Sequence, residues 1–293
     1  MDIFKTKDNN KIIPLNVQNY ERSTNKEKPY FQKINNEMKY FAICPECENP
    51  ITIVNLYVDK TIDSKKSQMV MHGRHMKKDV KGITDYDEDS YNECSLSNPE
   101  SFSSTLKRKE TSKTNNEIIQ IIKDYPELLF SLIRNISGIN ISESLFKKMV
   151  TNFKASEGYM YKYVTKFNLP YSFINMSNNS SIKYQYIMQN KIGKEIATAI
   201  NKKSRYFEIK NNQIKPIKLD AEYNDGEIGL YFSNHKISLN DRKSETIELI
   251  IKEKFKNKTN DIFMTKVLIN KDLFLNLVLK QYRLKSTVTE IFS

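Results

Sequence analysis

Residues 41–58 have the sequence FAICPECENPITIVNLYV, and this stretch decides how the N-terminal part of the chain folds. β-Branched and aromatic residues flank a short polar centre that contains Cys44, Pro45 and Cys47. Such flanking residues favour strands, and the Pro and Asn residues between them favour a turn. The stretch therefore predicts a β-hairpin with a CxxC pair at its tip.

The cysteines and histidines of the chain are clustered around this hairpin. The chain has three Cys and three His, and five of these six residues lie between positions 44 and 94. In this range the CxxC pair is followed by His72-Gly-Arg-His75 and then by Cys94. Two thiolates on a tight turn can supply half of a tetrahedral zinc site, and the other half must come from elsewhere in the chain. We therefore predict a Cys3His zinc site formed by Cys44, Cys47, Cys94 and either His75 or His72, with His75 favoured.

Three other interpretations of the cysteines are weaker. A redox CxxC pair normally lies at a strand-to-helix junction in a βαβ unit, and the pattern here indicates no such unit. A disulfide is disfavoured by the odd number of Cys and by the reducing compartment inferred below. Three unrelated buried thiols would not readily gather with two His within about a sixth of the chain.

The predicted set of four protein ligands is typical of a structural metal site. Four protein ligands leave no open position for water, so the ion stabilises the fold without acting as a Lewis acid. A nuclease of the His-Asn-His type would use the remaining histidine as a general base, so His72 with Asp85, Asp87 or Asp89 is a catalytic alternative. The second CxxC, the Asp-His pair and the downstream ligands of those enzymes have no counterpart in this sequence. We expect no catalytic residue here.

The segments FAICPECENPITIVNLYV (41–58) and HGRHMKKDVKGITDYDEDSYNEC (72–94) resemble a family of uncharacterised proteins in AT-rich bacteria and their mobile elements, including phages. That family shares a CPxCxNPI hairpin, a G-[RK]-H step, a V-x-G-[IL]-x-x-Y segment and a closing Cys. The resemblance covers mainly residues 40–95. It implies Cys44, Cys47, His75 and Cys94 as the shared ligand set, leaves His72 outside the pattern, and implies no particular activity.

The pattern of the whole chain predicts four parts. They are a polar, extended N-terminal arm (1–38), the zinc-binding module (39–95), a linker rich in Ser, Thr, Lys and Asn (96–116) and a basic α+β domain (117–293). Apolar spacing predicts helices near 118–122, 126–133, 142–153, 157–167, 191–202 and 271–285, and strands in LPYSFINM, SIKYQYIM and six later segments. We therefore predict an α+β fold: a zinc-knuckle hairpin module, then a helical segment and a mostly antiparallel sheet.

The charge of the chain is unevenly distributed. The formal charge is +12, with residues 1–100 at −1 and residues 101–293 at +13. Only 7 Gly and 8 Pro exclude a collagen-like chain, and 17 Tyr with 15 Phe exclude a disordered one. No run approaches the ~18 apolar residues of a membrane span, and the first residues lack the apolar core of a signal peptide. We expect a cytoplasmic protein without a membrane partner.

The excess charge is concentrated in residues 147–218, which hold 14 Lys or Arg, 3 acidic residues and 11 aromatic residues. Basic side chains neutralise phosphates, and exposed aromatic faces can stack on unpaired bases. For any single Tyr, however, a place in the core is the better prediction. Lys predominates over Arg, which favours weakly sequence-specific binding of RNA or single-stranded DNA. The candidate contact residues are Lys147, Lys148, Lys154, Lys162, Lys166, Lys183, Lys191, Lys194, Lys202, Lys203 and Arg205.

Three functions are compatible with these features. The first is a non-enzymatic nucleic-acid-binding protein with a structural zinc site. The second is an anti-CRISPR-like inhibitor that binds a host nucleoprotein defence complex through its basic surface. The third is a metal-dependent nuclease. The absence of P-loop, GxSxG and GxGxxG motifs favours the first over an enzyme.

Overall fold

The computed structural model describes residues 1–57, 71–97, 99–177, 180–217, 226–237 and 245–292. Helices and antiparallel sheets make up the structure, which confirms the predicted α+β class. The chain divides into two units: unit 1 is Met1–Glu100, Ile237–Glu245 and Asn270–Ser293, and unit 2 is Ser101–Lys236 and Thr246–Ile269. Unit 2 is therefore inserted in the chain between the first and last parts of unit 1.

Unit 1 is built on one antiparallel sheet. Its elements are strands β1 (Ile3–Thr6), β2 (Asn9–Pro14), β3 (Phe31–Ile34), β4 (Glu37–Ile43), β5 (Pro50–Val54) and β6 (His72–His75), with helices α1 (Val17–Thr24) and α2 (Glu88–Glu93). The strand order is β2-β1-β4-β5-β6, and β3 pairs with β4 outside this path. The predicted hairpin around the CxxC pair is confirmed as β4 and β5, in which Ile43 lies opposite Pro50.

The first 38 residues are not an extended arm. They form β1, β2, α1 and β3, and Phe4 and Tyr20 are fully buried. The polar run around Asn9 is the turn of the hairpin between β1 and β2, and Asn16 caps the N-terminus of α1 by accepting from the amide of Asn19. Most apolar residues of this segment are buried, although Ile34 and Met38 are exposed, so a low apolar content here does not mean a lack of structure.

The helices and strands between residues 101 and 269 follow in this order: α3 (Lys113–Asp124), α4 (Pro126–Ser137), β7 (Ile139–Asn140), α5 (Glu143–Ala155), a 3-10 turn (Gly158–Met160), α6 (Leu169–Met176), β8 (Ser180–Ser181), β9 (Tyr186–Ile187), α7 (Lys191–Lys203), β10 (Phe207–Lys210), β11 (Gln213–Pro216), β12 (Glu227–Ile237), β13 (Glu245–Phe255) and β14 (Lys258–Leu268). Two four-stranded sheets have the orders β10-β11-β9-β7 and β14-β13-β12-β8. The chain ends in helix α8 (Leu273–Phe292).

The helices predicted near 118–122, 126–133, 142–153, 191–202 and 271–285 are confirmed as α3, α4, α5, α7 and α8. Pro126 occupies the first turn of α4, and Ser142 caps α5 by accepting from the amide of Leu145. The strand predicted for LPYSFINM is wrong, because these residues form α6, which Pro170 starts and whose first six residues are buried. A uniformly apolar segment has no period from which a strand and a buried helix can be told apart.

The expected Tyr-rich helix over 157–167 is also wrong, and the cause is Arg108. Only the short 3-10 turn forms, and the carbonyls of Tyr159, Tyr161, Lys162 and Val164 accept hydrogen bonds from the Arg108 guanidinium, at 2.7 to 3.2 Å. These carbonyls point at a side chain and so do not accept bonds within a helix.

Most of the segment predicted to be a linker is therefore part of unit 2. Arg108 is 7% exposed, Phe102 and Ser112 are buried, and α3 begins at Lys113, inside the range 96–116. Ring stacking of Phe102 on His235, with centroids 4.2 Å apart, adds a further tertiary contact. The strand predicted in SIKYQYIM is reduced to the short β9 and to one residue of β8.

Candidate metal centre

The hairpin between β4 and β5 places two of the predicted ligands on one tight turn. The amide of Cys44 donates to the carbonyl of Asn49 at 2.9 Å, and the amide of Glu48 donates to the carbonyl of Cys44 at 3.0 Å. Glu48 has a φ of 61°, which reverses the chain within the turn. Backbone amides of Cys47 and Asn49 also donate to the sulfurs of Cys44 and Cys47, respectively. The turn thus holds both sulfurs on the same side and stabilises negative charge on them.

The other two ligands come from β6 and from the end of α2. In β6, His75 pairs with Ile51 of β5, whereas His72, three residues earlier, lies on the opposite face of the strand. Asp87 caps α2 by accepting from the amide of Ser90, and Cys94 follows directly at the C-terminal end of this helix. Strand alternation therefore selects His75 for the cluster and directs His72 away from it.

Cys44, Cys47, His75 and Cys94 lie close enough together to hold a metal ion, because their four ligand atoms are all within 4.8 Å of one another. The Cys44 and Cys94 sulfurs are 3.7 Å apart, and Nε2 of His75 lies 3.3 Å from the Cys47 sulfur and 3.6 Å from the Cys94 sulfur. A tetrahedral zinc ion with ordinary Zn–S and Zn–N lengths requires edges of about 3.8 Å and about 3.5 Å. The three distances given above are within about 0.2 Å of those edges.

The protonation of the cluster shows what a cation would change. Burial raises the pKa of the Cys44 thiol, and hydrogen bonds with Cys44 and Cys47 raise that of Cys94. Hydrogen bonds from Cys44 and Cys94 lower the pKa of Cys47. Binding of a divalent ion would displace the thiol protons, because only a thiolate ligates well.

Glu46, inside the CxxC pair, fixes the segment that carries Cys94. Its carboxylate accepts hydrogen bonds from the Ser95 hydroxyl at 2.7 and 2.9 Å and from the Leu96 amide at 3.0 Å, and it lies 3.4 Å from the Cys94 sulfur. Asn49 similarly exchanges hydrogen bonds with the backbone of Asp87, before α2. The hairpin therefore holds the fourth ligand through side chains other than its cysteines, as outer partners often do in metal sites.

The candidates for catalysis have structural partners. Asp87 is the cap of α2 described above, and His72 belongs to the strand pairing of β6 opposite Val54. Asp85 and Asp89 are exposed. Within the described part of the chain, the group of His, Cys, Asp and Glu side chains close enough for a metal ion is the Cys3His cluster.

The predicted nucleic-acid-binding residues are mostly exposed, on two helices and in nearby turns of unit 2. Lys147, Lys148 and Lys154 are exposed on α5; Lys191, Lys194, Lys202 and Lys203 are exposed on α7; Lys162 and Arg205 are exposed outside these helices. Two candidates differ from this set. Lys166 is mostly buried and paired with Glu117 at 2.9 Å, and Lys183 is half-buried, with its amino group 5.5 Å from the ring centroid of Tyr184.

The aromatic residues of the same segment are largely core. Tyr163, Phe167, Tyr171 and Phe173 are each 6% exposed or less, which agrees with the core prediction made for a single Tyr. Tyr184 and Tyr186, at 54% and 47%, are the exposed aromatic side chains of the segment's described residues. The segment therefore offers a lysine-rich surface with few aromatic faces.

Most of the excess positive charge lies in unit 2. Unit 2 contains 26 Lys or Arg and 15 Asp or Glu, a formal charge of +11, whereas unit 1 contains 21 and 20, a charge of +1. In the described part of the chain, no helix is both long enough and apolar enough to cross a bilayer. No protein-family model, curated protein or solved structure matches this chain.

Proposed function

We propose that this chain is a non-enzymatic nucleic-acid-binding protein whose unit 1 is stabilised by a structural zinc ion and whose unit 2 contacts phosphates. The observation that carries the proposal is the charge of +11 on unit 2 together with the exposed lysines of α5 and α7. The partner is RNA or single-stranded DNA, bound mainly through its backbone. The three cysteines are not joined in disulfides, which supports a reducing compartment such as the cytoplasm as part of this proposal.

Zinc is the ion that the donor set favours. Three soft thiolates and one imidazole select zinc over magnesium or calcium, which prefer oxygen ligands. Cys44, Cys47, His75 and Cys94 would hold the ion, which would cross-link the β4–β5 turn, β6 and the end of α2. With all four positions taken by protein, the ion serves stability. Elemental analysis of the purified protein is expected to give one zinc per chain.

The surface of α7 suits a polyanion because three of its four lysines share one face. At 100° per residue, Lys191, Lys194 and Lys202 lie within a narrow sector that also contains Thr198, opposite the buried Ile196 and Ile200. Each ammonium group that neutralises a phosphate releases condensed counterions, so affinity falls steeply with salt.

The test is the salt dependence of single-stranded RNA and DNA binding, measured by fluorescence anisotropy between 50 and 300 mM salt. The test variant replaces Lys191, Lys194, Lys202 and Lys203 by Gln. Each lost phosphate contact reduces the steepness of log K against log salt by ~0.7 for a single strand, so four lost contacts are expected to reduce it by about 3. The matched control replaces four exposed lysines of unit 1, Lys7, Lys11, Lys28 and Lys33, and so makes the same change in net charge.

Equal slopes for the two variants, or binding that does not change with salt, would contradict the proposal. Recovery of a stoichiometric protein partner in place of nucleic acid from the natural host would instead favour the inhibitor of a nucleoprotein complex. Cleavage of the labelled strands in the presence of zinc, magnesium or manganese would favour a nuclease.

A further inference from the structure

A cleft of about 740 Å³ lies on the sheet of unit 1, and it is separate from the metal cluster. Its floor includes Phe41, Thr52 and Arg74, which are neighbours across β4, β5 and β6. Arg74 immediately precedes His75, and alternation along β6 directs the two side chains to opposite faces. One face of this sheet therefore serves the Cys3His cluster, and the other lines the cleft.

The cleft is positively charged although unit 1 as a whole is nearly neutral. Lys39, Arg74, Lys78 and Lys81 line it, and Asp79 is the acidic residue among its lining residues. Asp79 accepts a hydrogen bond from the amide of Tyr86 at 2.8 Å. Within the described ranges, no carboxylate forms an ion pair with Arg74, Lys78 or Lys81, and these three side chains are exposed. Three uncompensated cations on one concave surface favour an anionic ligand.

Tyr57 also lines the cleft and is 49% exposed. Its ring meets the Tyr40 ring edge to face with centroids 5.3 Å apart, and its hydroxyl donates to Glu21 at 2.8 Å, so both contacts restrict the orientation of the ring. A half-exposed aromatic ring of fixed orientation can stack on a base, as aromatic side chains do in proteins that bind single strands.

We propose that this cleft is a nucleotide-binding site, in which Arg74, Lys78 and Lys81 contact phosphate and Tyr57 stacks on the base. The volume is in the range of small-ligand sites, roughly 300–1,000 Å³. The guanidinium of Arg74 can bind a phosphate with two parallel hydrogen bonds. The ligand is either a free nucleotide or one nucleotide of a single strand, since both present the same base and phosphate. The site uses none of the lysines of α5 or α7.

The experiment compares two probes, ATP and a ten-nucleotide single-stranded RNA, in titrations of the full, zinc-loaded chain. The test variant combines Arg74→Gln, Lys78→Gln and Lys81→Gln. It is expected to bind at least one probe tenfold or more weakly. Tyr57→Ala alone is expected to weaken the same probe by at least fivefold. The control replaces Lys7, Lys11 and Lys28 by Gln, which removes three charges from the same unit outside the cleft lining.

The outcomes separate the ligand sources and separate this site from the surface of unit 2. If ATP binding is weakened by the cleft substitutions, the ligand is a free nucleotide. If only RNA binding is weakened by them, the ligand is a nucleotide within a single strand. If neither probe responds to the triple substitution, although zinc content and circular dichroism are unchanged, the cleft is not a nucleotide site. If the cleft still binds its probe when the four lysines of α7 are replaced, nucleotide binding by the cleft is independent of the function proposed for unit 2.

Discussion

Replacing Arg108 by Met is expected to destabilise unit 2 by about 3–5 kcal/mol. The side chain is 7% exposed, and its guanidinium donates to the carbonyls of Tyr159, Tyr161, Lys162 and Val164. Met fills much of the same volume but donates no hydrogen bond. The carbonyls of Tyr159, Lys162 and Val164 then lose the guanidinium as partner, whereas that of Tyr161 still accepts from the Val164 amide at 3.0 Å. Leaving a buried polar group unpaired costs about 1–3 kcal/mol, and the lower part of that range, summed over three carbonyls, gives the expected loss.

The free energy of unfolding, measured by urea titration with circular dichroism, checks this value. At about 2–4 °C per kcal/mol for a unit of this size, the expected loss lowers the melting temperature by roughly 6–20 °C. Lys109→Met is the matched control, because the neighbouring Lys109 is exposed. Arg108→Lys keeps the charge but loses the planar fork, so its loss is expected to be intermediate. Loss below about 0.5 kcal/mol for Arg108→Met would refute the role assigned to this residue.

Three further predictions concern other parts of the chain. His75→Ala is expected to lower the zinc content well below one per chain, whereas His72→Ala keeps it near one, as measured by elemental analysis; equal losses would contradict the ligand assignment. Gly193→Ala is expected to cost several kcal/mol in a urea titration, because the added Cβ would lie 2.1 Å from the carbonyl oxygen of Met188, whereas Gly226→Ala, where the closest atom is 3.4 Å away, changes stability little. Burial raises the pKa of Tyr163 to about 12. The folded protein therefore keeps this proton above pH 10, where the unfolded chain loses it, and about 2 kcal/mol of stability is lost as the pH rises from 10 to 12. Tyr163→Phe should lack this component, so a constant difference between the two unfolding free energies over that range would exclude it.

The metal cluster could be predicted because its chemistry depends on rare residues. The chain has few Cys and His, and a CxxC pair between strand-forming runs has few uses other than metal binding. The choice between His72 and His75 was less certain. It depends on which face of β6 meets the hairpin. That face is set by the pairing of β6 with β5, about twenty residues earlier in the chain, and no local sequence pattern shows this pairing.

The predictions failed where a single side chain takes the place of an apolar core. A segment of Ser, Thr, Lys and Asn has almost nothing apolar to bury, so 96–116 was predicted to be a linker. Arg108 orders it through hydrogen bonds to residues about fifty positions later, and no periodicity marks such a contact. The Tyr-rich helix failed for the same reason, because it includes the carbonyls that Arg108 binds.

The insertion of unit 2 within the chain of unit 1 has a consequence for the order of events during translation. All four metal ligands have been synthesised by residue 94, but unit 1 also requires Lys271, whose amino group lies 3.2 Å from Asp2 and 2.7 Å from Glu245. Phe274, which is fully buried, is added later still. The last residues of unit 2 leave the ribosome before these do. The strands of unit 1 are therefore synthesised before unit 2, but the contacts that Lys271 and Phe274 add to unit 1 can form only after unit 2 has been synthesised.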